Sequence, residues 1–559
     1  MTRSTRLACG VAFCLLAWGL QTAVVGAHRL HPDEALYGHW GLLILSGRDA
    51  WLTTEPVYKP PLLPYLLYGS LSLLGPRELA VRLPGLLAGP VTAALTARLA
   101  WRLYRDGLVG AVAMATVALS PLAILLFPTG FTDPLMVALG LGGCVAAAEG
   151  RPGLAGLLAG LSFAAKQTGL FWAALVAWLV VAAVARGVRP ARLAGDLLRA
   201  GVGLGLVLAA VAGWDQARVM RGAASFWQTG VSGYGGLRLI WPAEWSVRLR
   251  AWRDEGAYLL GTRLLDGALL AGAAALVWRA VRRRDWAGLF DLTLLVSSIL
   301  YLLIHWLWAF PVWERYLLPL LPLLALLLGR TAAWARSLIA PRHRLAGWVV
   351  LAIVVAAMAA PASAAVGGAV PLGAGLDVYD GIEQVVDLLA RQPPGSVLYH
   401  HWLGWHYGFY LFDGPLYLAY WPHPAWLARD VQAFGQAEPR YIVFPAWESS
   451  ARVQDTLARI GYCLNLLLEA RNRGGEVRFR VYRIEGCPAT DERRVSIIFL
   501  RPPGLSRSPG RAQCRRMLPV QWDTDGHGWY GFSQISSVPI RETRVYPCPD
   551  FKLSGSQET

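Results

Sequence analysis

GLLAGLSFAAKQTGLFWAALVAWLVVAAV, residues 156–184, is the stretch on which the fold of this chain turns. It lies between Arg151 and a basic cluster of Arg186, Arg189 and Arg192. Basic residues in short loops favour the cytoplasmic side of a membrane. A single crossing would put the cluster on the opposite side from Arg151. Two short helices broken near Lys166 and Gln167 keep both flanks on one side. Each half is too short for a relaxed span at about 1.5 Å per residue, and such breaks are tolerated where they line a polar cavity. The segment therefore predicts a re-entrant hairpin that holds Lys166 at its tip, towards the outer half of the membrane.

The rest of the chain fits that setting. Its 559 residues are 55% hydrophobic and 16% charged, with mean hydropathy +0.41. A soluble protein of this length carries more charge, and several apolar runs exceed the roughly 18 residues of a membrane span. The net charge of +16 is nearly all Arg in short loops between apolar runs, so it reads as topology and affinity for anionic lipid, with no nucleic-acid partner. Lys occurs only at 59, 166 and 552. The apolar stretch from Leu7 to Ala27 is longer than the ~7–15 residues of a signal-peptide core and reads as a retained first span with a cytoplasmic N-terminus.

Counting Arg outward from the hairpin predicts about eleven membrane helices, the hairpin included. A first outer loop runs from about 28 to 76. In it EALYGHWGLLIL is expected to lie as an amphipathic helix in the membrane interface. Spans two, three and four follow, and span four starts at FTDP. After the hairpin, span seven leads to a second outer loop, about 214 to 255. Spans eight to ten pass RAVRRRDW inside and HWLWAFPVWERY outside, and end at Arg330, Arg336, Arg342 and Arg344. Span eleven, about 346 to 368, leaves everything after Pro371 outside. The domains are thus 1–370 in the membrane, 371–487 as a small α/β extracytoplasmic domain, and 488–559 as a tail of unassigned fold, partly disordered. In the middle part DGIEQVVDLLARQ has a helical apolar face at Ile382, Val385, Val386 and Leu389. SVLYHH and RYIVFP read as buried strands, and EVRFRVYRI as a half-buried one. Cys9, Cys14 and Cys144 lie in spans as packing residues. Cys463, Cys487, Cys514 and Cys548 lie in the outer part, where at least one disulfide is expected.

Charge at membrane depth costs ~2–3 kcal/mol or more, so it defaults to functional or paired groups. Asp33 and Glu34 in HRLHPDEALYGHW read either as a helix N-cap or as a general base at the membrane surface. Lys59 in VYKPP has its backbone set by two prolines. It is either a snorkelling side chain or a point charge for a phosphate. Asp133 in FTDPL is a helix cap with Pro at N1, or an acceptor-side or supporting acid on the same face as Asp33. Arg315 and Tyr316 in VWERYLLPLLP are a membrane anchor or a phosphate clamp. His305, with Trp306, Trp308 and Trp313, suits a polyprenyl or sugar surface and takes the same acceptor-side or supporting role. His28, His31 and His39 could hold a divalent metal, but their spacing is not diagnostic. No metal ligand is assigned and the cofactor is unknown.

The order of PDEALYGHWGLLILSGR, VYKPPLLPYLL, LAVRLPGLLAG, FTDPLMVALGL, GLLAGLSFAAKQTGL and ERYLLPLLPLLALLLG resembles that of membrane glycosyltransferases of the GT-C fold. The nearest likeness is to protein O-mannosyltransferases and the lipid A aminoarabinose transferase, over about residues 1 to 370. The resemblance implies transfer of a sugar, with inversion, from a polyprenyl-phosphate donor on the outer face. The acceptor would be a lipid, glycan or protein, and the setting the inner membrane of a bacterium. It makes Asp33 the catalytic Asp of the first outer loop, with Glu34 beside it. Lys59, Lys166, Arg315 and Tyr316 become the donor-phosphate residues. A transporter or flippase of lipid-linked saccharides is the alternative, but the inverted repeats it calls for are not evident. A binding or assembly protein acting through its outer domain is a third class. Only the enzyme would release free polyprenyl phosphate.

Overall fold

The computed structural model describes residues 3–183, 190–233, 238–339, 345–371, 377–435 and 437–487. The expected tail, Cys514, Cys548, Arg186, Arg189, Arg342 and Arg344 lie outside them.

The chain begins with α1 (Arg3–Val24), α2 (Pro32–Leu45), α3 (Leu62–Leu74) and α4 (Glu78–Tyr104). Next come α5 (Gly107–Leu119), α6 (Pro121–Leu126), α7 (Thr132–Ala148), α8 (Pro152–Ala165) and α9 (Leu170–Ala182). The membrane part continues with α10 (Pro190–Val219), α11 (Phe226–Gly233), α12 (Pro242–Leu260), α13 (Arg263–Arg283), α14 (Trp286–Leu307), α15 (Leu320–Ile339) and α16 (Ala346–Val366). Among the described residues six helices, α1, α4, α10, α13, α14 and α16, are long and apolar enough to cross a membrane. The helix α15 has 20 residues, Arg330 and Arg336 among them, and the remaining apolar helices are shorter. Expected span three shows the reason. Pro121 lacks an N–H, so the run stops at Ser120 and restarts as α6, and the Ser120 hydroxyl donates to the Leu259 carbonyl at 2.7 Å.

The hairpin segment does break at Lys166, whose backbone is extended between α8 and a 3-10 turn over Gln167–Gly169. A Cβ placed on Gly143 of α7 would lie 3.1 Å from the Ala155 carbonyl of α8 and also 3.1 Å from Val176 of α9. The two are 21 residues apart, and one straight helix would separate them by about 30 Å. The chain therefore reverses at Lys166. Gly169 permits the turn, because a Cβ there would collide with the Ser162 backbone at 2.4 Å.

Two loop expectations need correction. Of the segment expected as the second outer loop, the described residues 214–233 and 238–255 are largely helical, holding the end of α10, α11 and most of α12, a 19-residue helix with Glu244, Arg248, Arg253 and Glu255 among its apolar residues. The helix α2 is not a half-exposed interfacial helix. It is buried from Asp33 to Leu43 except at His39, because both its faces are covered. Gly41 abuts Leu67 and Leu71 of α3, and Gly38 abuts both Val81 of α4 and Phe409.

Phe409 belongs to the C-terminal unit, which holds α17 (Ile382–Leu389), β1 (Val397–His400), α18 (Gly404–Tyr410), β2 (Tyr417–Tyr420), α19 (Pro424–Phe434), β3 (Arg440–Pro445), α20 (Ala451–Ala458), β4 (Tyr462–Arg471) and β5 (Val477–Gly486). The sheet order is β2-β1-β3-β5-β4, with β2, β1 and β3 parallel and β5 antiparallel to both β3 and β4. β3 is buried at every position, as a central strand covered on both faces should be. Phe479 and Val481 of β5 face one core with Ile382, Val385 and Leu389. Cys463 and Cys487 form a disulfide where the start of β4 lies beside the end of β5, which meets the expectation of at least one disulfide among Cys463, Cys487, Cys514 and Cys548. Cys9, Cys14 and Cys144 are free thiols.

The C-terminal unit is fastened to α2, to the residues just before it and to the start of α4. Asp380 accepts from the Arg29 N–H and meets His28 Nδ1, both at 2.9 Å. The Tyr410 hydroxyl donates to Glu78 at 2.6 Å, and His406 Nε2 donates to the Leu30 carbonyl at 2.9 Å. His39 Nδ1 donates to the Gly408 carbonyl at 2.8 Å.

Candidate active site

The N-terminus of α2 sets the site. His31 is the N-cap: its Nδ1 accepts from the Asp33 N–H at 3.2 Å, and Glu34 accepts from the His31 N–H at 2.9 Å. This is a reciprocal capping box, with Pro32 at the first helical position where a missing N–H costs nothing. Asp33 is therefore not the cap that its place in the sequence allows. Burial holds His31 neutral, down at about 4, so its ring nitrogen is available as an acceptor.

Asp33 and Glu34 leave the helix about 100° apart, and they have different surroundings. Glu34 accepts four hydrogen bonds: Arg82 Nε and Nη2 at 3.0 Å each, the Gly130 N–H at 2.7 Å and the His31 N–H. Arg82 spends its other donors on the carbonyls of Val25, His28 and Arg29, so all five of its N–H groups are used. Burial pushes the Glu34 carboxyl up, and Arg82 with the two backbone donors outweighs it, leaving it below the ordinary value.

Asp33 turns to a different set. It is 3% exposed; Arg315 Nη1 donates to it at 2.7 Å and the Tyr58 hydroxyl at 3.2 Å, with the Tyr37 hydroxyl 3.3 Å from that of Tyr58. Tyr37 is one helical turn beyond Asp33, so both face the same way. Burial raises the Asp33 carboxyl, but Arg315, and then His31 and Lys59, bring it down to about 2. Arg315 lies between rings, its guanidinium carbon 4.6 Å from the Phe131 centroid and 5.0 Å from that of Trp313.

The other predicted cations are close by. Lys59 is buried beside the Tyr58 ring, with its ammonium 4.8 Å from the centroid. Burial and Arg315 push it down, Asp33 and Asp133 pull it back, and it settles at about 8. Lys166 donates to Asp133 at 2.6 Å and sits 4.1 Å over the Tyr316 ring. Asp133 is the second residue of α7, with Phe131 at the N-cap, so it is a partner of the hairpin lysine and not a cap. Gln167, next to Lys166, donates to the Tyr58 carbonyl at 2.7 Å and so ties the hairpin tip to the VYKPP segment. His305 stacks on Tyr301 at 4.1 Å, bonds the Tyr301 carbonyl and lies 5.8 Å from the Tyr316 ring. The Tyr301 hydroxyl donates to the Tyr316 carbonyl. His305 thus backs Tyr316 from behind.

Asp33, Lys59, Asp133, Lys166, Arg315 and Tyr316 form one cluster, and His305 is its backing. Three cations face two carboxylates there, while Glu34 and Arg82 neutralise each other alongside. The three histidines between 28 and 39 go three ways: His28 to Asp380, His31 to the cap, His39 to Gly408 and Glu55. Among the described residues no group of three His, Cys, Asp or Glu is arranged to hold a metal ion. Sequence reasoning missed Arg82 and Tyr58. A lone Arg in the apolar run LAVRLPGLLAG was the sign of the first. Nothing distinguished Tyr58 from other interfacial tyrosines.

No protein-family model and no curated protein matches the sequence. Solved structures do match. ArnT from Cupriavidus metallidurans in the apo state aligns with a TM-score of 0.59 at 16% identity, over 86% of this chain and 98% of that one. The same protein bound to undecaprenyl phosphate aligns with a TM-score of 0.55 at 17% identity, over the same shares. ArnT is a GT-C lipid A aminoarabinose transferase, and the chain has its fold.

Proposed function

We propose that this chain is an integral-membrane glycosyltransferase. It moves a sugar from a polyprenyl-phosphate donor to a hydroxyl or amine of an acceptor on the outer face of a bacterial inner membrane, with inversion. The observation that carries this reading is the Asp33–Arg315 ion pair set among Lys59, Lys166 and Asp133, brought from five separate segments to one place. The fold is shared with a protein solved with undecaprenyl phosphate bound.

The charges give the steps their direction. The donor phosphate is drawn by the excess of cations and engages Arg315, Lys59 and Lys166, with Tyr316 beneath the Lys166 ammonium. Arg315 shared with a phosphate holds Asp33 less tightly, so Asp33 becomes a stronger base when donor is bound. It takes the proton from the acceptor O–H or N–H as that atom attacks the anomeric carbon. The bond from that carbon to the phosphate oxygen breaks on the opposite face, and its electron pair leaves with the phosphate. The cations stabilise that charge as it grows. The chain turns back at Lys166 as a re-entrant hairpin, which keeps this lysine at the depth of a lipid-borne phosphate. Glu34 takes no proton in this scheme. It locks the base of α2 through Arg82.

The test is a panel of labelled polyprenyl-phosphate sugars with purified protein in liposomes. Release of free polyprenyl phosphate that depends on acceptor is the expected result. Movement of intact donor across the bilayer without release would overturn the reading in favour of a flippase.

A further inference from the structure

The parallel strands β2, β1 and β3 end on the same side of the outer sheet. The chain leaves β1 towards β2 and leaves β3 towards the opposite edge, so the crevice between the ends of β1 and β3 is a topological switch point. Ligands of open α/β sheets bind there, because diverging loops leave a gap beyond the carboxyl ends. The loop after β1 carries His401 and Trp402, and the loop after β3 carries Trp447 and Glu448. Trp402 donates a hydrogen bond to Glu448 across the gap. His401 stacks on Tyr420, the last residue of β2, at 5.8 Å and 14°. The two indoles stay open, Trp402 at 41% and Trp447 at 46% exposed.

The crevice is continuous with the candidate active site. Trp447 meets Tyr379 at 5.9 Å between ring centroids, and Tyr379 meets His31 at 6.2 Å. His31 caps the helix that carries Asp33.

We propose that this crevice binds the saccharide part of the acceptor, and so feeds an acceptor hydroxyl or amine to Asp33. Open indole faces accept the C–H faces of pyranose rings, and a half-buried carboxylate bonded to one of them picks out hydroxyl pairs. Tyr379, His401, Trp402, Tyr420, Trp447 and Glu448 include one carboxylate and neither ammonium nor guanidinium, which fits a neutral polyol better than an anion. The proposal rests on the glycosyl-transfer reading for its purpose, but binding is measured without turnover.

The experiment is saturation-transfer NMR on the detergent-solubilised full chain with maltotetraose, chitotetraose and mannotetraose as probes. At least one is expected to give a signal with the wild type and with Asp33→Asn. Trp402→Ala and Trp447→Ala should weaken it at least tenfold, and Glu448→Gln several-fold. Phe434→Ala, exposed at the far end of the sheet beside the start of β3, should leave it unchanged. Trp447→Phe keeps an aromatic face and serves if the alanine variant fails to fold; it should retain part of the signal. No binding of any probe by the wild type, or binding that the Trp402 and Trp447 variants leave intact, overturns the proposal. So does preferential binding of a short peptide at the same residues. A saccharide signal in a protein that transfers no sugar would instead overturn the glycosyltransferase reading and leave the site.

Discussion

Two buried ion clusters start from neighbouring residues of α2 and differ in kind. The Glu34–Arg82 cluster is closed: four bonds to one carboxylate, five donors spent by one guanidinium, and no net charge. The Asp33 cluster is open: its carboxylate meets Arg315 and Tyr58, and the nearby lysines give the group more positive than negative charge. A closed cluster can only hold structure together. An open one still has an interaction to offer a ligand, and an excess of cations favours an anion. Proximity in sequence is therefore a poor guide to shared role.

The most severe test of this contrast is Asp33→Asn. Turnover should fall roughly 10²–10⁴-fold, which is about 3–5 kcal/mol on the barrier. Thermal stability should fall, because Arg315 loses its buried partner, while donor affinity should not fall, because Arg315 is left free for the phosphate. A folded variant with full transfer activity would remove Asp33 as the base and make Glu34 the next group to test. On the closed side the loss should be of structure. Arg82→Met strands a buried carboxylate and should cost about 3–5 kcal/mol in unfolding experiments. Adding Glu34→Gln should recover part of that. If Glu34→Gln alone leaves the fold intact and abolishes turnover, the closed cluster has a chemical role and the comparison fails.

Lys59 sharpens the open side. Its ammonium, brought down to about 8 chiefly by burial, is charged below that pH and neutral above it. Affinity for a polyprenyl phosphate should therefore fall as pH rises through about 8, by about tenfold over the next unit. In Lys59→Arg the step near pH 8 should disappear, because a guanidinium does not titrate there, while any fall centred near pH 7 belongs to Lys166, which burial lowers to about 7. An affinity flat from pH 7 to 9 in the wild type would place Lys59 away from the phosphate. The smallest effect belongs to the cap that serves both clusters. His31→Ala should cost about 1 kcal/mol, the usual worth of a lost N-cap, with a modest drop in turnover as Asp33 is held less firmly. Calorimetry and initial rates on the same sample separate the two.

Much of this was legible beforehand. The membrane class, the break at Lys166, the buried strand RYIVFP and the list of charged residues at membrane depth all follow from local composition and period. A Lys amid apolar residues or a run of β-branched and aromatic ones carries its meaning wherever it is packed. Other matters needed the fold. The burial of α2 depends on Val81 from one segment and Phe409 from another. The pairing of Asp133 with Lys166 spans 33 residues, and that of Asp33 with Arg315 spans 282. Which carboxylate is open and which is closed was decided by Arg82, Gly130 and Arg315, all far along the chain. Sequence sets the chemistry a side chain can do, because that is covalent. Its partner is set by where the backbone carries it, and the free energy that decides this is shared among all the packed elements at once.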